Sequence, residues 1–437
     1  MKKINNSVLA LALFIGVANI NAQEKKTLTL DEAVQLGIEN SKSLKIDAAK
    51  IEEATANLLE AKNRQLPELK ISGSYTYLPI KPTMEIKLPG VSGAGGPEVH
   101  QVLYGSANLS VPIYSGGRIK YGIESAKYLV EASKLTTEND KIAIAYNIAQ
   151  AYNNLFKANQ SIKVLEENLT ASRKRDETFL KMENNGLIAR NDRLKANLQT
   201  SNIELQLLEA KNNYNIANIN MDLLLGIPET TEIEVDQNYI DEGDDVKPVD
   251  FYVIEAKENR KDLKALTQQR KAAELGTKAA KAENLPSIAF TGGYVAADIP
   301  KFLTVYNAVN VGLGVSYNLS NLWKENSSLK QSQAREKQLA ATDELLNDNI
   351  KLEVNREYQN TDYSRKRIAV FEKSAEQANE NYRITKNKYD NGLATMTELL
   401  DADAAQIAAN VGVINAKADA ALAYRKLLQT TGILTIK

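Results

Sequence analysis

Val309-Asn310-Val311-Gly312-Leu313-Gly314-Val315-Ser316-Tyr317-Asn318-Leu319 alternates apolar residues with small or polar ones without a break. A period of two sustained over about ten residues is that of a strand with two chemically different faces. Three more segments read the same way. Leu69, Ile71, Tyr75 and Tyr77 alternate with Lys70, Ser72, Ser74 and Thr76; Leu103, Ala107, Leu109, Val111 and Ile113 alternate with mostly small or polar neighbours; Ile288, Phe290 and Tyr294 share one face. The pattern predicts strands at about 69–78, 101–114, 287–297 and 306–319. Two-faced segments of about ten residues mark transmembrane β-barrel strands, each weak alone. A soluble antiparallel sheet with one buried face alternates in the same way. Known membrane barrels need about eight strands or more, so four lipid-facing strands require several chains to share one barrel.

Working outward, the strands belong to an internal repeat. Leu66-Pro67 recurs as Leu285-Pro286, 219 positions on; Asn185-Gly186-Leu187 recurs as Asn391-Gly392-Leu393, and Gly226 as Gly432, each 206 positions on. The first half therefore carries 13 extra residues, which fit in the Gly/Pro-rich loop from Pro79 to Pro97. Each half reads helix, two strands, very long helix, turn, helix. Residues 23–228 form the first repeat, with its long hairpin at 117–226, and residues 250–437 the second, with its hairpin at 322–430. The acidic segment 229–249, with Pro228 and Pro248, is a linker holding one short strand at Ile233–Val235.

The opening helix starts at Thr29, three residues before Glu32 in a capping-box spacing, and is expected to run to about Leu66. Its counterpart spans about Phe251 to Leu285, and Pro67 and Pro286 end the two. No proline interrupts Gly117–Asn184 or Leu322–Asp390, so each is expected as one helix of roughly 100 Å at 1.5 Å per residue. Ile148, Tyr152, Leu155, Ala158, Ile162, Leu165 and Leu169 keep coiled-coil spacing, as do Leu194, Leu198, Ser201, Leu205 and Leu208 on the return helix. Alanine crowds the last helix (Ala402, Ala405, Ala409, Ala416 and Ala420 among others), which permits close helix approach.

The N-terminus has Lys2 and Lys3, an apolar run from Val8 to Ala18 and a small residue at Ala22, the pattern of a secretory signal peptide over residues 1–22. That run is too short for the roughly 30 Å hydrocarbon core, and no later segment is long enough, so a helical membrane protein is excluded. Cleavage leaves about 415 residues with near-balanced charge, 54 basic against 55 acidic in the full chain, which argues against a nucleic-acid partner. Without cysteine an exported chain has neither disulfides nor an acylated cysteine. Catalytic chemistry also lacks its parts. His100 is the one histidine, there is no Gly-x-Ser-x-Gly elbow or phosphate-binding loop, and common zinc sites and histidine-dependent triads are not expected; no catalytic residue, metal or cofactor is assigned.

Three positions invite a second reading beside a local one. Gly186 and Gly392 are explained as helix stops, which glycine supplies by taking the left-handed conformation. That does not explain Leu187 and Leu393, which either pack beneath the turn or meet a partner. Glu398 and Asp401 share a face in the first turn of the final helix, yet Thr395 three residues before Glu398 makes a capping box the local explanation.

The doubled order of helix, Leu-Pro, strand pair, junction, long helix, Asn-Gly-Leu and return helix resembles the TolC-like outer-membrane efflux proteins, over essentially the whole mature chain. Val111-Pro112-Ile113-Tyr114-Ser115-Gly116-Gly117-Arg118 looks like the strand-to-helix junction of that family, and Leu28-Thr29-Leu30-Asp31-Glu32-Ala33 like its opening. The second half departs at Asn318-Leu319-Ser320-Asn321-Leu322-Trp323, without the Gly-Gly pair. The resemblance implies a mixed α and β membrane protein: a homotrimer whose three sets of four strands form a twelve-stranded outer-membrane barrel on a hollow periplasmic barrel of coiled-coil helices. It implies a passive exit duct for a tripartite efflux or type I secretion system, in contact with outer-membrane lipid, a periplasmic adaptor and an inner-membrane pump. Gly186, Leu187, Gly392 and Leu393 would form adaptor-docking tips. Glu398 and Asp401 would form a constriction ring of six carboxylates at the periplasmic entrance, selective for cations. Asp192 and Tyr389 would tie neighbouring hairpins in the closed state, while Ala394 stands where the best-known member has an arginine. The bland reading of Tyr389 is a half-buried coiled-coil aromatic. From a different class, the alternative is an exported coiled-coil scaffold or adhesin without a channel.

Overall fold

The computed structural model describes residues 25–80, 99–240, 246–300 and 303–435. The expected signal peptide and most of the Pro79–Pro97 loop lie outside the described residues, as does part of the acidic linker. Strand β1 (Lys25–Leu28) leads into α1 (Leu30–Asn40) and α2 (Lys42–Asn63), the strands β2 (Glu68–Tyr77) and β3 (Gln101–Tyr114), and the hairpin α3 (Arg118–Asn184) and α4 (Arg190–Leu225). After β4 (Glu232–Val235) the order recurs as α5 (Val249–Asn259), α6 (Lys261–Ala282), β5 (Ser287–Ile299), β6 (Leu303–Ser316), α7 (Ser327–Asp390) and α8 (Met396–Thr431). The compact units are not the two repeats: one comprises 1–42, 141–258 and 352–437, the other 43–140 and 259–351, so each repeat contributes to both.

Four details depart from the sequence reading. Neither opening helix is continuous. Ser41 (φ −55°, ψ 119°) separates α1 from α2, and Arg260 (φ −59°, ψ 123°) separates α5 from α6. Both breaks follow an asparagine, Asn40 and Asn259, at one shared place in the repeat. The second long helix begins at Ser327, not 322, because Leu319–Leu322 form a tight 3-10 turn in which the Asn318 side chain accepts from the Ser320 N–H at 3.1 Å. Strand β1 was not foreseen, and the short strand expected in the linker is its parallel partner β4. Finally, the seam of α4 is Ala196, Thr200, Ile203, Leu207 and Ala210, whereas Leu194, Leu198, Ser201, Leu205 and Leu208 lie exposed. Ile203, Leu207 and Ala210 pack with Leu165 and Leu169 of α3 and Ile407 of α8, the Ser172 and Thr200 hydroxyls lie 2.8 Å apart, and the other leucines are turned outward.

In the first unit the core gathers Leu28, Leu30 and Val34 with Ile148, Tyr152, Leu155 and Phe156 of α3, Met221 and Leu225 of α4, and Ile233 and Val235 of β4. Buried Tyr152 donates to the Leu28 carbonyl at 2.8 Å and accepts from the Asp236 N–H at 2.7 Å, and its burial pushes the phenol up to about 12. Asn218 fastens the linker by accepting from the Ile233 N–H (2.9 Å) and donating to the Thr231 carbonyl (2.6 Å). Each bond satisfies a backbone group that would otherwise be buried unpaired.

In the second unit the four strands form one antiparallel sheet in the order β2-β3-β5-β6. Its register sorts the side chains. One face carries the rows Leu313-Phe290-Val111, Val311-Gly292-Leu109-Leu69 and Val309-Tyr294-Ala107-Ile71; the other carries Asn310-Gly293-Asn108-Lys70 and Ala308-Val295-Ser106-Ser72. Ser72 and Ser106 hydroxyls lie 2.9 Å apart on that second face. The apolar face is uncovered: Ile71, Val309, Val311, Leu313 and Val315 all stand about 70% exposed or more. Gly116 takes a left-handed φ of 65° at the strand-to-helix junction, where an added Cβ would meet Leu285 Cβ at 2.8 Å.

Candidate functional site: the hairpin tips

Both long hairpins turn through the same backbone. At the first, the Leu187 N–H donates to the Met182 carbonyl at 2.8 Å and the Gly186 N–H to Glu183 at 2.9 Å; at the second, Leu393 donates to Lys388 at 2.8 Å and Gly392 to Tyr389 at 2.9 Å. These are the paired bonds of a Schellman motif, which consume the last helical carbonyls. They require the left-handed φ of Gly186 (70°) and Gly392 (74°). Leu187 and Leu393 are 70% and 77% exposed, so neither packs beneath its turn. The apolar floor there consists instead of Phe179, Ala196, Met396 and Leu399, with Met182, Ile188 and Tyr389 against it.

Glu398 occupies the local role. Its Oε2 accepts from the Thr395 N–H at 2.6 Å and the Thr395 hydroxyl at 2.9 Å, while Thr395 Oγ1 accepts from the Glu398 N–H at 3.2 Å, a complete capping box. Those bonds, the amide foremost, hold its carboxyl below the usual glutamate range. Asp401 falls in the second turn of α8 rather than the first, still three residues on and on the same face. It is exposed and makes no ion pair among the described residues.

Tyr389 and Asp192 lie near one another without a hydrogen bond between them. Tyr389 is half-buried with its ring edge-on to Phe179 at 5.8 Å, which joins the second hairpin to the first through packing. Asp192 turns to Lys195, 3.7 Å away. Burial raises the Tyr389 phenol, and the nearby Asp192 charge adds to that shift.

Two features had not been singled out. Arg175 of α3 donates to both carboxylate oxygens of buried Asp403 on α8 at 3.1 Å, with the Tyr382 hydroxyl at 3.5 Å, binding hairpin to hairpin. Lys195 reaches from α4 to the Thr397 hydroxyl at 3.4 Å, in the first turn of α8. The 206-residue offset sets Lys195 against Asp401 and Asp403 against Asn197, so neither charge is repeated in the other half and no local signal marks these contacts. No group of three or more histidine, cysteine or acidic residues able to hold a metal occurs among the described residues.

An uncovered two-faced sheet joined to two long helical hairpins is the fold of solved outer-membrane channels. The chain aligns with a membrane protein of Pseudomonas aeruginosa at TM-score 0.79 and 17% identity, covering 92% of this chain and 90% of that one. It aligns with the outer membrane protein VceC of Vibrio cholerae at TM-score 0.77 and 18% identity (92% and 96%), and with the CmeC outer membrane channel of Campylobacter jejuni at 0.75 and 18% (93% and 86%). No match is found among curated protein sequences. The family profile of outer membrane efflux proteins matches residues 33–227 and 253–433, and the chain belongs to that family, the TolC-like channels.

Proposed function

We propose that this chain is the outer-membrane exit duct of a tripartite efflux or type I secretion system. Three copies share a twelve-stranded barrel in outer-membrane lipid, and their hairpins enclose a periplasmic passage that conducts passively. The carrying observation is the four-stranded sheet with a continuous apolar face left bare. In water that face would be costly; against lipid it is in its own solvent. The unpaired edges of β2 and β6 call for partners, and neighbouring copies supply them by closing the sheet. The scaffold or adhesin reading requires a sheet with one buried face, and among the described residues nothing covers it.

The exposed leucines of α4 are the seam between copies, and Leu187 and Leu393 at the tips dock a periplasmic adaptor that engages the inner-membrane pump. Asp401 supplies the free charge of the entrance, Glu398 chiefly caps α8, and Tyr389 with Phe179 packs the closed hairpins together while Asp192 contributes charge beside them. The test is single-channel recording in a planar bilayer, comparing the parent with Asp401→Ala and Glu398→Gln. Discrete steps whose ion preference follows Asp401 more than Glu398 support the duct; a folded, lipid-inserted sample without steps sinks it.

A further inference from the structure

We propose that Lys195 tempers the charge preference of the periplasmic entrance, making it a mixed ring that disfavours anionic solutes less than its carboxylates alone would. The proposal rests on the three-chain duct. Within one chain three acids are assigned to the entrance; the bonds Glu398 makes to Thr395 favour its charged form, and Asp192 lies 3.7 Å from Lys195, so one lysine offsets one of three carboxylates. Asp401 makes no ion pair among the described residues. Lys195 Nζ bonds the Thr397 hydroxyl at 3.4 Å, and Thr397 precedes Asp401 by four residues, so the ammonium lies one helical turn from that carboxylate on the same face. The side chain is exposed, and its charge acts on the surrounding solvent as well as on Asp192.

The repeat supplies a second, independent argument. Lys195 stands 9 residues after Gly186 and Asp401 stands 9 residues after Gly392, so the two occupy one level of the two hairpins. Closing three chains around an axis then alternates three lysines with three aspartates at that level. Each lysine offsets the field of the carboxylates beside it within about one Debye length, roughly 10 Å at 0.1 M salt, so an anion meets a weaker repulsion than the carboxylates alone would exert.

The measurement is the reversal potential of single channels under a potassium chloride gradient, for the parent, Lys195→Ala, Lys195→Arg and Asp401→Asn in the full chain. The parent and Lys195→Arg are expected to share one modest preference for potassium over chloride. Lys195→Ala is expected to raise the potassium-to-chloride permeability ratio on the order of five-fold at low salt, and Asp401→Asn to lower it by a comparable factor. A Lys195→Ala channel with the parent's reversal potential, or a Lys195→Arg channel that behaves like Lys195→Ala, overturns the role of Lys195 and leaves the duct standing. A folded, lipid-inserted sample without channel steps overturns both.

Discussion

Nη2 of Arg175 lies 3.1 Å from each carboxylate oxygen of Asp403, and the pair sits 11 residues from both turns: Arg175 before Gly186, Asp403 after Gly392. Both side chains are largely buried, and the Tyr382 ring lies beneath the guanidinium with its centroid 6.0 Å away. Taking two charges out of water costs several kcal/mol, which such a pair recovers only while both partners are present. At the repeat-equivalent places stand Asn381 and Asn197, so the charged clamp belongs to one chain's two hairpins alone.

Arg175→Met therefore strands the Asp403 carboxylate, and a loss of about 3 kcal/mol is expected. The double variant Arg175→Met with Asp403→Leu restores most of it, since an apolar pair of similar volume carries no desolvation debt. Thermal melts followed by circular dichroism in detergent check both. A double variant no better than the single one would show that the carboxylate is not the source of the cost.

Asp222 gives a pH dependence of known sign. It is fully buried, accepts one bond from the Asn218 amide at 2.9 Å, and burial, aided by the Glu229 charge, pushes its carboxyl up to about 6. Between the ordinary aspartate value of about 4 and about 6, the folded chain holds a proton that the unfolded chain has released, so stability falls as pH rises. Below about pH 4 both states are protonated and the penalty vanishes; above about pH 6 it is complete, about 3 kcal/mol. Asp222→Asn, which keeps an acceptor for Asn218, should be the more stable form at neutral pH by about that amount and indistinguishable near pH 4. Melting curves across that window decide it.

The strands were legible because their information is local. From β6 back to β2 the alternation of side chains alone states which face each residue takes, and the observed register aligns those faces row by row. The hairpin tips were legible because glycine at positive φ leaves a sequence mark. What failed was tertiary choice. On α4 two stripes overlap, Leu194-Leu198-Leu205-Leu208 and Ala196-Thr200-Ile203-Leu207, and hydrophobicity favours the first; packing against residues of α3 and α8 takes the second. The breaks at Ser41 and Arg260 carry no proline or glycine, so only the repeated asparagine before each could have flagged them. At the hairpin tips, the capping of Glu398 was readable from Thr395, whereas the Lys195 hydrogen bond to Thr397 and the Arg175–Asp403 ion pair join elements far apart in the chain.

The tip leucines make a clean separation of stability from binding. Leu187 and Leu393 touch little of their own chain, so Leu187→Ser with Leu393→Ser should change stability by no more than about 0.5 kcal/mol. An apolar side chain seated in a partner's pocket contributes about 1.5–3 kcal/mol, so losing two should weaken adaptor capture by well over ten-fold. Pull-down with the native envelope, beside a melting curve, reads both quantities. Unchanged capture by a stable double variant would remove the tips from the docking surface.

The displaced leucine stripe of α4 carries the last prediction. Leu194, Leu198, Leu205 and Leu208 extend along one face, and Ile216, Ile219 and Leu223 continue the exposed apolar surface toward the C-terminal end of the helix. Seven exposed large apolar residues on one helix exceed what scattered surface residues explain, and a second copy of the chain is the partner that a closing ring provides. Leu198→Glu with Leu205→Glu places two carboxylates at the middle of that surface while leaving the Ala196, Thr200, Ile203 and Leu207 seam intact. Helix content should be preserved, because glutamate is as good a helix former as leucine to within a few tenths of a kcal/mol. The oligomer should dissociate, since burying two unpaired charges per interface costs several kcal/mol at each of three seams. Light scattering coupled to size exclusion in detergent distinguishes the outcomes: a folded monomer places the stripe between copies, and an intact trimer assigns it to another surface.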